Sequence, residues 1–288
     1  MTNNMAKMTI MRGLPASGKS TKAKELLTVG NTVRINKDLL RTMLHFDTFT
    51  GRNEGHTRDG ARKLADWYLA NGVNVIIDDT NLNEGTVQSW KDLAKIHNAK
   101  IEYVDCFVSV EECIERDSKR DKKVGKHVIE KMALQHLGYL KGQRVIICDL
   151  DGTLCDIDHR LHFAHSDPKD WKNFFLGIPQ DKVREDVREK LVQLSTQESA
   201  KIIFVSARPE NYRKETEQWL FDNHSSDITL IMREANDKRP DTEVKSDIYD
   251  KYLKQLNIIK VFDDRPSVIR MWREKGLSVE DVGKGIEF

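Results

Sequence analysis

The chain has 288 residues, 39% hydrophobic and 7% aromatic, which is enough for two cores of ordinary size and excludes a disordered chain. Its longest aliphatic stretches are strand-length, its first residues carry no apolar run, and its four cysteines form no C-x-x-C pair. A membrane span, a secretory leader and a disulfide scaffold are therefore not expected, and a cytoplasmic protein with reduced thiols is. The net charge of +1 is unevenly shared: residues 1–142 carry 23 Lys and Arg against 18 Asp and Glu, and the rest carries 24 against 28. A basic first half suits anionic ligands.

In chain order, apolar residues 8–11 predict a strand, and a helix is predicted over 19–27. Between them lies GLPASGKS, residues 13–20. Such a loop cradles phosphate. Gly13 and Gly18 let backbone N–H groups turn inward, Lys19 reaches the β- and γ-phosphates of a triphosphate, and the Ser20 hydroxyl holds Mg2+. Residues 33–35 predict a second strand, followed by Asn36, Lys37, Asp38 and a helix. An Asp just beyond a strand can take a proton from an attacking hydroxyl, and Arg41, one helical turn later, can grip a phosphate. The same spacing fits an N-capping Asp and a solvated Arg. Helical composition over 59–71 stops at Asn71 and Gly72. A buried strand over 73–77 ends in Asp78, Asp79, Thr80 and Asn81, which suits a role toward Mg2+ or arginines, or a helix cap. Asn83 caps a predicted helix to about His97. A strand over 101–108 leads to Ser109, the cap of a helix over 111–119. Arg116 and Arg120 are four residues apart, as in a lid that neutralises a transferring phosphoryl group; a solvated basic face has the same pattern. A helix is predicted over 126–140.

The boundary falls near residues 138–142. A strand over 145–148 then leads into Asp149-x-Asp151-Gly152-Thr153. Here one carboxylate, Asp149, can attack phosphorus and form an aspartyl-phosphate, and Asp151 can protonate the leaving alkoxide and then activate water. Two anions facing a phosphate require Mg2+ between them. Residues 156–183 show aromatics but no strand pattern, which predicts a small helical insertion. His159, His162 and His165 lie in it, but their spacing spreads them around a helix instead of converging on a metal; Arg160 is the better candidate, for substrate phosphate. Ser206 and Arg208 follow a strand over 201–205. Lys245 opens a later helix and can neutralise phosphoryl oxygens. Asp263 and Asp264 end a strand over 260–262 and can complete the metal shell. The predicted fold class is α/β with two domains, residues 1–140 and 141–288, each with a parallel sheet.

These residues, in this order, make the chain similar to the phage-type polynucleotide kinase–3′-phosphatases from end to end. The carriers are residues 13–20, Asn36 to Arg41, Asp79 to Asn83, Arg116 to Arg120, Asp149 to Leu154, Ser206 to Arg208, Lys245 and Asp263 to Arg265. The resemblance implies a P-loop kinase domain that moves the γ-phosphate of ATP to a 5′-hydroxyl of RNA or DNA. It implies ATP contacts from Gly13, Ser17, Gly18, Lys19, Ser20, Thr21, Arg116 and Arg120, Asp38 as general base, and Arg41 on the acceptor's 3′-phosphate, with Asp79 and Asn81 beside it. It implies a haloacid-dehalogenase-type domain that removes 3′-phosphates through Asp149, Asp151 and Lys245. There Arg160, Ser206, Arg208 and Asp241 would meet substrate, and Asp149, Asp151, Asp263 and Asp264 would meet Mg2+. It also implies a homo-oligomer that works with an RNA ligase. Lys37 stands where the family often has Arg, and Ala207 where Gly is common. Residues 45–56 match little. Two other readings fit the motifs alone: a metabolite kinase fused to a small-molecule phosphatase, and an ATP-gated nucleic-acid binding module.

Overall fold

The structure, a computed structural model, describes residues 5–27, 31–225 and 227–285. It divides into two compact units between Leu137 and Gly138.

The first unit is a four-stranded parallel sheet in the order β2-β3-β1-β4, with β1 Lys7–Arg12, β2 Thr32–Ile35, β3 Asn74–Ile77 and β4 Lys100–Asp105. Its helices are α1 Lys19–Leu27, α2 Lys37–His45, α3 Gly51–Ala70, α4 Glu84–Ile96, α5 Val110–Ser118 and α6 Lys126–His136. The central strands are short apolar runs, as a parallel sheet covered on both faces requires. On one face Met8, Ile10, Val75 and Ile77 meet α3 and α4, where Ala61 and Ala65 let the long helix lie close. On the other face Met11 and Ile76 meet Ala23 of α1. The side-chain caps expected at Asn83 and Ser109 form, accepting from Thr86 N and Glu112 N. Helix α3 begins eight residues before the predicted start, because Thr50 caps it by accepting from Asn53 N at 3.1 Å. Helix α6 stops at His136 instead of reaching Leu140, since Gly138 and Leu140 both take positive φ.

The second unit is a five-stranded parallel sheet in the order β11-β10-β5-β8-β9. In chain order it holds β5 Arg144–Cys148, β6 Cys155–Asp156, α7 Asp158–His165, α8 Trp171–Leu176, β7 Lys182–Val183, α9 Glu185–Glu198 and β8 Lys201–Pro209. Then come α10 Arg213–Asn223, β9 Leu230–Arg233, α11 Asp241–Ile248, β10 Asn257–Asp263, α12 Pro266–Glu274 and β11 Val279–Asp281. Val145, Ile146 and Ile147 of the central strand are fully buried; each such side chain contributes about 1.5–3 kcal/mol. The predicted helical insertion is present as α7 and α8, but two-residue strands β6 and β7 pair antiparallel at its base. Strands β9 and β11 were not expected. Among the described residues, no helix is long and apolar enough to cross a membrane.

Candidate active sites

The phosphate loop runs from the buried end of β1 into α1. Gly13 N donates to Thr80 O at 3.0 Å, which ties the loop to the end of β3. Gly13 has φ 149, and a Cβ there would lie 2.4 Å from the Cys106 carbonyl oxygen, so only glycine fits. Lys19 is buried, and its Nζ donates to Leu14 O at 2.5 Å and to Ser17 Oγ at 3.4 Å. Burial lowers its pKa, against the pull of Asp78. Ser17 is buried, whereas Ser20 and Thr21 are exposed at the start of α1. Asp78 takes Arg34 Nε on Oδ2 at 2.7 Å and leaves Oδ1 buried without a hydrogen-bond partner. A carboxylate oxygen with nothing to satisfy it, close to the triphosphate cradle, fits a hydrated Mg2+.

Helix α5 ends at Ser118, so Arg116 and Arg120 do not share one helical face as expected. Arg116 still reaches the loop: an added Cβ at Gly18 would meet its guanidinium at 3.8 Å. Arg120 pairs with Asp117 at 3.3 Å, and its charge reaches Lys19. Buried Asp117 also accepts from Val124 N at 3.1 Å and Gly125 N at 2.9 Å, folding the segment after α5 back on the helix.

On the acceptor side, Asn36 caps α2, accepting from Leu39 N at 3.0 Å, and its amide donates to Asp78 O at 2.5 Å. That fixes Asp38 in the first turn with its carboxylate 82% exposed. Arg41 donates to Asp38 Oδ1 at 2.8 Å and to Glu54 Oε2 at 3.0 Å. Asp79 accepts from Lys37 N at 3.0 Å, and burial raises its pKa. Asn81 is buried, and its amide is committed to backbone, donating to Met11 O at 2.7 Å and Asp79 O at 3.2 Å. Phe46 and Phe49 stand exposed past α2, with the Arg41 guanidinium 5.4 Å from the Phe49 ring centre.

In the second unit, Asp149 follows β5, and its backbone N donates to Phe262 O at 3.0 Å, which locks it beside the end of β10. Lys245 of α11 is buried and bridges Asp149 Oδ1 at 2.8 Å and Asp263 Oδ2 at 2.9 Å. Asp263 also accepts from Trp272 Nε1 at 3.1 Å, and Asp264 accepts from Thr153 Oγ1 at 2.9 Å. Gly152 has φ 80, and a Cβ there would sit 2.2 Å from the Asp264 carboxylate. Ligand oxygens of Asp149, Asp263 and Asp264 lie within 4.8 Å of one another, the metal-capable cluster among the described residues. Burial and then the neighbouring carboxylates push Asp149 up to about 8 and Asp264 up to about 6, even with Lys245 adjacent. Crowded, hard oxygen donors that resist ionisation fit Mg2+. A cavity of about 160 Å³ lined by Gly152, Asp156, Arg184 and Asp264 opens beside them.

Asp151 turns the other way. Arg160 Nη2 donates to its Oδ1 at 2.5 Å, and Arg208 Nη2 to the same oxygen at 2.6 Å. Burial raises its pKa, but the two guanidinia outweigh burial and hold it well below the usual carboxylate range. Its side chain lies outside the three-carboxylate cluster, contrary to the expectation of a metal ligand. Arg160 and Arg208, expected on substrate phosphate, are buried against carboxylates. Ser206 is buried and accepts from Arg208 N at 3.2 Å. Asp241 is paired with Arg233 and, at 2.5 Å, with Arg265. His159 contacts Gly177 O at 3.3 Å, and no histidine joins a metal cluster among the described residues. Glu54, Asp117 and Asp181 were not expected from the sequence. The arginine partners of Glu54 and Asp181 lie 13 to 27 residues away, so no local spacing announces them, whereas the partners of Asp117 lie three to eight residues on, within reach of local spacing.

A phosphate loop on one parallel sheet, and strand-end carboxylates with a lysine on another, define a two-domain phosphoryl-transfer protein: a P-loop unit joined to a haloacid-dehalogenase-like unit. Residues 143–286, half of the chain, match the family described as the polynucleotide kinase PNKP phosphatase domain, and the chain belongs to that family. Residues 8–137 match the AAA domain family. A protein of Autographa californica nuclear polyhedrosis virus, "Putative bifunctional polynucleotide kinase/RNA ligase", is 30% identical over 295 residues, covering 92% of this chain and 40% of the viral protein. The chain thus spans about two fifths of the length of that relative. A chain in the structure of the Pnkp1/Rnl/Hen1 RNA repair complex is 28% identical, covering 99% of this chain and 98% of that one, with a TM-score of 0.44. The Mycobacterium tuberculosis APS kinase CysC is 21% identical, covering 40% of this chain and 70% of that one, with a TM-score of 0.34.

Proposed function

We propose that this chain heals nucleic-acid ends: it transfers the ATP γ-phosphate to 5′-hydroxyls of RNA or DNA and hydrolyses 3′-phosphates. The observation that carries the reading is the presence of two separate phosphoryl-transfer sites in a chain whose second half belongs to the polynucleotide kinase phosphatase family.

In the kinase half, loop amides and Lys19 hold the triphosphate, and Ser20 and Asp78 would hold Mg2+. Asp38 accepts the proton of the attacking 5′-oxygen as that oxygen bonds to the γ-phosphorus and the bond to ADP breaks. Arg41, held by Glu54, grips the acceptor's phosphate. Exposed Phe46 and Phe49 offer stacking faces to its base. Arg116 and Arg120 neutralise the transferring group.

In the phosphatase half, Asp149 bonds to phosphorus as the bond to the 3′-oxygen breaks, and Asp151, held ionised here by the two guanidinia, gives that oxygen a proton that it takes up once the substrate's anionic phosphate counters them. Asp151 then takes a proton from the water that cleaves the aspartyl-phosphate, releasing phosphate. Lys245 neutralises the incoming oxygens. Asp149, Asp263 and Asp264 would hold Mg2+, which would supply charge neutralisation for the attack of one anion on another. The products, a 5′-phosphate and a 3′-hydroxyl, are what a ligase joins. The viral relative is named for a ligase in the same chain, and we assign this chain the same partner class, in a homo-oligomer.

Acceptor size tests the reading. With ATP and Mg2+, the protein should phosphorylate a 5′-hydroxyl oligonucleotide in preference to free nucleosides or sugars. Transfer to the small acceptors alone would replace this function with a metabolite kinase.

A further inference from the structure

Asp181 stands where the chain returns from the insertion, directly before β7. Its side chain is 0% exposed. One oxygen accepts from Arg160 Nε at 2.6 Å; the other accepts from Arg160 Nη2 at 2.6 Å and from Arg208 Nη2 at 2.8 Å. Its carbonyl oxygen accepts from Trp219 Nε1 at 2.8 Å, and its backbone N donates to Ile178 O at 3.1 Å. The carboxylate is therefore fixed from both sides of its own peptide. Arg160 comes from α7, with its guanidinium 4.3 Å from the Phe174 ring centre, and Arg208 comes from β8. Both guanidinia end on Asp151. Two carboxylates and two guanidinia thus close a buried square, with Asp181 on the corner opposite Asp151.

A buried guanidinium needs partners for its fork of donors, and it settles where those partners lie. Without Asp181, both arginines would have only Asp151 as an anionic partner and would fold over it. We propose that Asp181 is a positioning residue: it anchors Arg160 and Arg208 so that they orient the Asp151 carboxyl toward the leaving oxygen without engulfing it. This rests on the phosphatase reading above.

The role has a signature that general destabilisation lacks. An aryl phosphate expels a leaving group that needs no proton, so phosphoryl transfer to Asp149 proceeds without help from Asp151. Hydrolysis of the aspartyl-phosphate still needs Asp151 to take a proton from water. The test uses the full chain with Mg2+, an oligonucleotide 3′-phosphate and p-nitrophenyl phosphate. For Asp181→Asn, kcat on the oligonucleotide should fall about 100-fold, the low end of what a positioned proton donor contributes, with KM little changed. On p-nitrophenyl phosphate the variant should release a burst of about one nitrophenolate per active site, followed by slow turnover. Asp181→Glu keeps the charge but displaces both guanidinia, and should show the same pattern at smaller size, so the test stands even if the Asn variant melts early. Equal losses on both substrates with no burst, or wild-type rates in both variants, overturn the proposal. Wild-type protein that turns over p-nitrophenyl phosphate but no polynucleotide 3′-phosphate contradicts the substrate assignment instead; the burst on p-nitrophenyl phosphate would then still report on Asp181.

Discussion

At the scale of single residues, each site is a few charges whose meaning depends on their partners. Arg41 shows this. Its spacing from Asp38 was legible in the sequence, but the same spacing describes an exposed arginine on a helix. What sets it apart is Glu54, 13 residues further on, which holds the guanidinium from α3. Glu54→Gln should therefore raise KM for the 5′-hydroxyl acceptor several-fold and leave KM for ATP unchanged, measured by steady-state kinetics with each substrate varied in turn. Asp149 and Asp264 make a second residue-scale prediction. Their folded pKa values, about 8 and about 6, lie above the ordinary carboxylate value near 4. Between these limits the folded chain holds more protons than the unfolded one, so their contribution to stability falls as pH rises. A Mg2+ ion bound by these carboxylates would take the place of those protons. Melting measured with and without Mg2+ should show a larger stabilisation near pH 8 than near pH 5; equal shifts would mean that these carboxylates do not hold the ion.

At the scale of elements, what was legible in the sequence was what strands and loops announce locally. Short apolar runs ending in polar residues located β1, β2, β3, β5, β8 and β10, and the sites sit at their ends. The G-x-x-x-x-G-K-S and Asp149-x-Asp151 signatures are local, so both loops could be read directly. Strand β11 has only a weak apolar pattern, and the two-residue β6 and β7 exist because the base of the insertion closes on itself, a tertiary cause with no local signal. Asp151, expected to meet Mg2+, is a case of the same kind: Arg160 and Arg208, 9 and 57 residues away, pair with its carboxylate, which lies outside the three-carboxylate cluster. The phosphate loop gives the element-scale prediction. Gly13→Ala would drive a methyl against the Cys106 carbonyl oxygen at a φ that strains any side chain. It should abolish detectable ATP binding by calorimetry while hydrolysis of 3′-phosphates continues.

At the scale of the whole molecule, the proposed function puts two chemistries of opposite sense in one chain without a shared catalytic residue. Asp38 and Lys19 lie in the unit that ends at Leu137, and Asp149, Asp151 and Lys245 lie in the unit that starts at Gly138. Asp38→Ala should cut 5′-phosphorylation by about 100-fold or more, as loss of a general base does, and spare 3′-dephosphorylation; Asp149→Ala should do the reverse. The uneven charge is consistent with this division, since the half that carries the phosphate loop is the more basic one.

The most direct measurement gives the wild-type protein ATP, Mg2+ and one oligonucleotide that carries a 5′-hydroxyl and a 3′-phosphate, with both ends followed in the same reaction. The account predicts that the 5′ end gains phosphate from ATP and the 3′ end loses it as inorganic phosphate, leaving a strand that a ligase can join. A strand that changes at neither end, while free nucleosides are phosphorylated and small phosphate esters hydrolysed, would contradict it.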